Sequence, residues 1–294
     1  MMKKTCFFYV FLFIAAFACK CHAEQTINWF HADFPPAFIL TGDEKGSGYC
    51  DRMEKDVADF LSGYTHVFHE SNYKRIVKSL EDGRNVCCAS IYKTPEREKF
   101  SAYSDPLFIG LSNGVIIPRE KIKRYEKYIG PEKTIDLPAV LAQEEHIKIG
   151  LISGRNYGDS IESAIASFRK SKKIEERAGN DSQGLIKMLL KERVDMLLAL
   201  PMEISYAAKQ IAKHMNLEKN ALVFFPVQDG EQFTTSYMAC PGNEWGKAVI
   251  EKINVVIAEK RPDFAKYYRD WLDESGAETY EKTVKEVFGF QIPE

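Results

Sequence analysis

The sequence has no surplus of positive charge: 40 lysines and arginines face 42 aspartates and glutamates, a formal net charge of −2. A mildly acidic surface excludes the electrostatic footprint that nucleic acid or an anionic membrane calls for. Several enzyme signatures are missing as well, since no G-x-S-x-G elbow, phosphate loop or dinucleotide fingerprint occurs. There is no internal repeat and no low-complexity segment. Histidine is scarce, six in all, and His66 and His69 have no third donor nearby, short of what a zinc site takes. The Lys121–Lys127 run is broken by Tyr125 and Glu126 and fits a solvated loop. No metal, no cofactor and no nucleic-acid partner is therefore expected. Past the first residues, no stretch is apolar enough to span a membrane.

The one long apolar run is at the start. Lys3 and Lys4 precede Phe7 to Ala18, and Cys21 and Ala23 fit an A-x-A-like cleavage site. These are the three parts of a secretory signal peptide, 1–23, cleaved after Ala23 for release to the periplasm. A membrane anchor is the alternative, but spanning needs roughly 20 apolar residues and the run is shorter. A lipoprotein site at Cys19 is a third, with Phe17 where a smaller residue is usual. The leader would take three of the seven cysteines with it, leaving Cys50, Cys87, Cys88 and Cys240 where disulfides can form. Adjacent Cys87 and Cys88 point to opposite faces of a strand, so each can meet a different partner. One long-range bridge and four small buried thiols both remain open.

Beyond the leader, short strand-like runs alternate with helical ones. Gln25 to Phe30 reads as a strand, and Asp51 to Ser62 as a helix with Met53, Val57, Phe60 and Leu61 on one face. A helix over Asn72–Glu81 and a strand over Val86–Tyr92 follow. This β-α-β order predicts an α/β domain with a largely parallel sheet. Leu111–Ile117 is read as one strand, and Arg119–Lys133 as an exposed connection. A second unit then runs through strand Lys148–Ile152, helix Asp159–Arg169, helix Ser182–Lys191, strand Val194–Ala199 and helix Glu203–Lys213. The last third resembles a return to the first unit, with strand Thr234–Cys240 and helices Glu244–Glu259 and Phe264–Leu272.

One stretch carries a specific chemical reading. In Thr94-Pro95-Glu96-Arg97, Thr94 caps a helix, Pro95 suits its first position, and Glu96 favours the positive end of the dipole. Arg97 would project beside the end of the Val86–Tyr92 strand, where ligands of open α/β sheets bind. A guanidinium there can grip a carboxylate with two parallel bonds. The plain alternative is a surface arginine paired with Glu96 or Glu98.

That run, with Gly48-Tyr49-Cys50-Asp51 and Ser104-Asp105-Pro106, resembles the markers of extracellular solute-binding protein family 3, the periplasmic receptors for polar amino acids and related compounds. Phe34-Pro35-Pro36, Ser153-Gly154, Val194-Asp195 and Tyr237 to Gly242 resemble further segments of that family in order. The resemblance implies a two-lobed, type II Venus-flytrap fold with two crossing hinge strands. Lobe 1 would comprise 24–112 and 237–294, and lobe 2 would comprise 113–236. It further implies that Arg97 binds a ligand carboxylate, Ser90 and Tyr92 line the wall, Phe34 stacks on the ligand, and amides near Arg155 and Asn156 complete an anion site.

The departures from the family shape the expected ligand. Its amino-acid receptors place an acid on the second lobe for the ligand's ammonium, whereas this chain has Ala199-Leu200-Pro201, with Glu203 the nearest acid. His31 stands where a second acid can occur, Tyr92 replaces a threonine, and Arg155 is expected to add positive charge. The expected ligand is thus a carboxylate with aromatic or further anionic character, not an ordinary amino acid. The expected protein is a monomeric, non-enzymatic receptor serving an ABC permease or a membrane sensor. Two alternatives stand beside it: a periplasmic enzyme resembling cyclohexadienyl or prephenate dehydratases with Glu203 as acid, and an orphan receptor acting through protein contacts.

Overall fold

The computed structural model describes residues 25–178, 181–215, 217–218 and 220–293; the leader lies outside them. In chain order the strands are β1 (Gln25–Ala32), β2 (Tyr64–Ser71), β3 (Val86–Ile91), β4 (Ser101–Tyr103), β5 (Phe108–Leu111), β6 (Gly114–Pro118), β7 (Ile149–Ile152), β8 (Ile174–Arg177), β9 (Met196–Ala199), β10 (Leu222–Pro226) and β11 (Phe233–Pro241). The helices are α1 (Tyr49–Phe60), α2 (Tyr73–Glu81), α3 (Pro95–Glu98), α4 (Ile122–Tyr125), α5 (Leu137–Gln143), α6 (Asp159–Ile165), α7 (Ser182–Leu190), α8 (Pro201–Met215), α9 (Glu244–Arg269) and α10 (Glu274–Phe288). They build two mixed sheets, one per lobe. The first has the order β2-β1-β3-β11-β4 with β5 also on β11, and the second β10-β6-β9-β7-β8. β1 is parallel to β2 and β3, and β7 is parallel to β8 and β9. The returning strands β11 and β6 pair antiparallel with their neighbours.

Strand alternation decides what each face of the first sheet buries. Ile27, Trp29, Cys87 and Ala89 point toward α1 and α9, into a core with Met53, Val57, Val249 and Ile253. Phe30, Ala32, Val86, Cys88 and Ile91 point the other way, onto Ile76 and Leu80 of α2. The adjacent cysteines therefore part company. Cys87 is bonded to Cys240 on β11, while Cys88 is a free buried thiol, as is Cys50. Two family-like markers are scaffold devices. A Cβ on Gly48 would lie 2.4 Å from the Ala37 carbonyl oxygen, so only glycine fits at the start of α1. Asp51 then accepts from the Gly48 and Ile39 amides, both at 3.0 Å, tying the segment after β1 to α1. The Ser104 hydroxyl accepts from the Met238 amide at 3.0 Å, and the Asp105 amide donates to Asn254.

The two lobes are joined by two adjacent crossings. Leu111–Ile117, expected as one strand, is broken at Ser112 and Asn113 into β5 of the first sheet and β6 of the second. β10 likewise passes to β11, and the Ser112 amide donates to the Gln232 carbonyl at 3.1 Å where the crossings run side by side. Arg119–Lys133 is not a bare exposed connection, for its short helical turns bury Tyr125 and Tyr128. The two helices expected after Pro241 are one, α9, with Pro262 inside it. Proline removes one helical hydrogen bond, and burial of Phe264, Ala265 and Tyr268 on the next turns carries the helix through. α10, not anticipated from the sequence, lies over the hinge. It packs Tyr280 on Tyr268 of α9, while its Ser275 hydroxyl takes the Phe224 amide of β10 and Glu278 pairs with Lys133.

Candidate functional site

The residues expected to line a ligand site lie at the carboxyl end of a parallel strand, or in the segment that follows it, where open α/β sheets bind ligands. Phe34 follows β1, Ser90 to Arg97 end and follow β3, Arg155 and Asn156 follow β7, and Glu203 opens the helix after β9. Thr94 caps α3 as expected, its hydroxyl accepting from the Arg97 amide, with Pro95 in the first turn. The half-buried Arg97 side chain donates from Nη1 to the Tyr92 carbonyl at 3.0 Å. Glu98 is instead paired with Lys93 at 2.9 Å, and among the described residues no carboxylate lies within ion-pair distance of Arg97. Tyrosines surround it. Tyr92 is 54 % exposed and Tyr73 45 % exposed, and Tyr103, edge-on to Tyr237 at 6.0 Å, reaches the same Tyr92 carbonyl. Partial burial pushes the Tyr103 phenol up to about 12, so it is a neutral hydrogen-bonding group.

The second lobe departs from expectation. Arg155 does not add free positive charge, because its guanidinium grips Glu203 with two bonds, Nη1 to Oε2 at 2.5 Å and Nη2 to Oε1 at 3.0 Å. The side chains are only 15 % and 6 % exposed. The two opposite charges of a buried pair of this kind offset each other, and removing either partner disrupts a desolvated contact. Burial alone would lower the Arg155 value, but the Glu203 bonds and charge raise it. The loop ahead of α6 is also partly self-satisfied. The Asn156 side chain accepts from the Gly158 amide at 2.8 Å, and Glu162 from the Tyr157 amide at 3.0 Å.

Behind the first-lobe wall is a buried pair that the sequence reading half missed. His31, 8 % exposed, stacks on Phe38 and donates from Nδ1 to Glu54 Oε2 at 3.3 Å. Glu54, 1 % exposed, also accepts from the Ala89 amide at 3.1 Å, one residue before Ser90. The signal was present: Glu54 falls on the helical stripe of Cys50, Met53 and Val57, where an acid has no water to face. His66 and His69 serve the fold, bonded to Trp29 and the Leu61 carbonyl and to Asn28 respectively.

Two cavities stand out among the described residues. One of about 420 Å³ at the hinge end of the second lobe includes Asn113, Asn156, Tyr157 and Glu231. A larger groove of about 980 Å³ runs between α8 and the α9–α10 turn and touches none of the residues above. Both of its cations named here are already paired, Lys209 with Glu44 and Arg269 with Glu281 and Asp270, and volume alone does not make it the binding site.

No protein-family model matches the chain, and no curated protein does. Solved structures do. An ancestral cationic amino acid solute binding protein is 17 % identical with a TM-score of 0.60, covering 85 % of this chain and 96 % of its own. The second substrate binding domain of a putative amino acid ABC transporter from Streptococcus pneumoniae is 13 % identical at 0.59, covering 84 % and 100 %. Substrate binding domain 2 of Lactococcus lactis GlnP, in its open conformation, is 14 % identical at 0.58, covering 85 % and 96 %. The likeness shows the fold alone: α/β and two-lobed, the type II architecture of periplasmic binding proteins.

Proposed function

We propose that the protein is an exported solute-binding protein that closes around a small monocarboxylate with an aromatic or neutral body and presents it to an ABC-type permease. The observation that carries this reading is Arg97, a half-buried guanidinium at the carboxyl end of β3 with no carboxylate in range among the described residues. A guanidinium held by a single carbonyl keeps donors for a planar anion. The exposed Tyr92 and Tyr73 beside it offer flat apolar surface at low conformational cost. Two lobes joined by two short crossings are the architecture in which hinge closure buries a ligand. The Cys87–Cys240 bond suits an oxidising compartment, which supports export to the periplasm. The neighbour of the same fold that is a substrate binding domain of a putative amino acid ABC transporter supports uptake as the destination.

Charge sets the ligand class. Arg155 and Glu203 offset each other, whereas Arg97, among the described residues, has no carboxylate within ion-pair distance. A monoanion neutralises it, whereas a zwitterion brings an ammonium that must pull Glu203 off Arg155 or stay unpaired. Breaking such a buried pair costs about 3–5 kcal/mol. The same pair speaks against Glu203 as an enzymatic acid, since both its oxygens already accept hydrogen bonds. A thermal-shift screen of unfolded and refolded protein tests the proposal, using carboxylates matched with their 2-amino counterparts. Stabilisation by carboxylates bearing a ring is expected. A response confined to amino acids would overturn the ligand class, and no response to any carboxylate would overturn the function.

A further inference from the structure

The wall that carries Ser90 is held from behind by an ionisable pair. Glu54 reaches from α1 through the core to the Ala89 amide, and His31 from β1 closes on its other oxygen. The next residue, Ser90, has φ of +55°, in the left-handed region that non-glycine residues seldom occupy. Such a conformation persists where the surroundings over-determine it. Here they include the Glu54–Ala89 bond, at 3.1 Å, made by the residue just before it.

We propose that Glu54 and His31 are a positioning pair for the first-lobe wall, and that the proton they share makes the wall's geometry depend on pH. Glu54 orients the Ala89–Ser90 peptide, and His31 supplies the counter-charge that keeps Glu54 in place. The inference deepens the binding reading given above and rests on it for its consequence, though not for its test.

The charged surroundings bear on the sign. Around His31 stand Glu54 and Asp51 of α1 and Glu70 of β2, and Glu70 is 3.9 Å from Lys45. Asp33 bears on Asp51, Cys50 and Cys88 flank Glu54, and Arg75 of α2 lies over the Phe30 ring. Burial by itself lowers the His31 value, but the hydrogen bond and charge of Glu54 outweigh it, and the histidine is raised above 6.5. Burial also raises Glu54, against the pull of His31 and the Ala89 amide. Both shifts favour the bound proton, so the pair is intact in mild acid and opens as pH climbs through the raised His31 value. Glu54 is then a buried carboxylate facing a neutral imidazole, which favours its movement toward water and releases Ala89.

Nuclear magnetic resonance of the ligand-free, isotope-labelled protein reads this directly. The Ala89 and Ser90 amide resonances should titrate with the His31 imidazole at one shared midpoint. In Glu54→Gln the His31 midpoint should fall and the two amides should lose their titration. His31→Gln, which keeps the buried carboxylate and a hydrogen-bond donor, should flatten the amides as well and serves if Glu54→Gln does not fold. Flat Ala89 and Ser90 amides in the wild type, or an unchanged titration in His31→Gln, would overturn the proposal. Calorimetry with phenylpyruvate at about pH 6 and about pH 9 adds the consequence: wild-type affinity should drop at least several-fold in alkali, and that of His31→Gln should not. If phenylpyruvate binds at both pH values with equal affinity, the coupling to the wall is refuted. If it binds at neither while the amides titrate as described, the pair stands and the carboxylate reading loses its support.

Discussion

Glu203→Gln should destabilise the protein more than any surface charge deletion, because it removes one carboxylate oxygen from a bidentate contact with an Arg155 side chain that is only 15 % exposed. Exposed ion pairs are worth about 0–1 kcal/mol. Breaking a buried, bidentate one costs about 3–5 kcal/mol, mostly the cost of the charge left behind. In a protein of this size each kcal/mol moves the melting temperature by roughly 2–4 °C, so a fall of about 6–20 °C is expected. Arg155→Met should cost a similar amount by stranding Glu203. The double variant should recover most of the loss, since neither charge is then buried alone. Urea unfolding of the four proteins gives the coupling energy. Additive single effects, or a Glu203→Gln loss below about 1 kcal/mol, would show that the pair is solvated and that Arg155 is available to a ligand after all.

Three further outcomes can be checked on the same preparations. The Cys87–Cys240 bond closes a loop with a sequence separation of 153; chain entropy puts its worth at about 5 kcal/mol, an upper figure. The Cys87→Ala/Cys240→Ala variant should therefore lose roughly 2–5 kcal/mol in denaturant unfolding, and an unchanged midpoint would refute the bond's role. The raised His31 value means its stabilisation is complete below about 6.5 and is lost as pH rises through the folded value. His31→Gln should flatten the decline of melting temperature above that pH, and parallel curves for mutant and wild type would count against the pair. Tyr92→Ala should weaken binding of a ring-bearing carboxylate by about 0.5–1.5 kcal/mol, the order of one aromatic contact beyond area burial. An equal loss for a ring-free carboxylate would assign Tyr92 to charge or backbone support instead.

Much of the fold was written locally. Thr94 and Pro95 specify the turn that presents Arg97, Gly48 admits the carbonyl of Ala37 where no side chain fits, and alternation at Cys87 and Cys88 sends one thiol to each face. What escaped was decided by contacts distant in sequence. The break at Ser112 and Asn113 is invisible because both halves of Leu111–Ile117 are apolar, and only pairing with different partners separates them. The α9 helix runs through Pro262 because tertiary packing outweighs one missing bond. Arg155 and Glu203 lie 48 residues apart, and nothing local announces that they meet. The capped turn that presents Arg97 was legible in the sequence, and the Arg155–Glu203 pair was not.

Capture of a carboxylate by Arg97 is tested most directly by titrating refolded wild type and Arg97→Ala with the best ring-bearing carboxylate from the screen. Losing a charge-assisted contact in a closed cleft costs about 2–5 kcal/mol, so affinity should fall by at least tenfold, while the ligand-free melting temperatures stay within a degree or two. The corresponding 2-amino acid should bind the wild type more weakly than the carboxylate itself. Equal affinity in wild type and Arg97→Ala would contradict the assignment of Arg97 as the anchor.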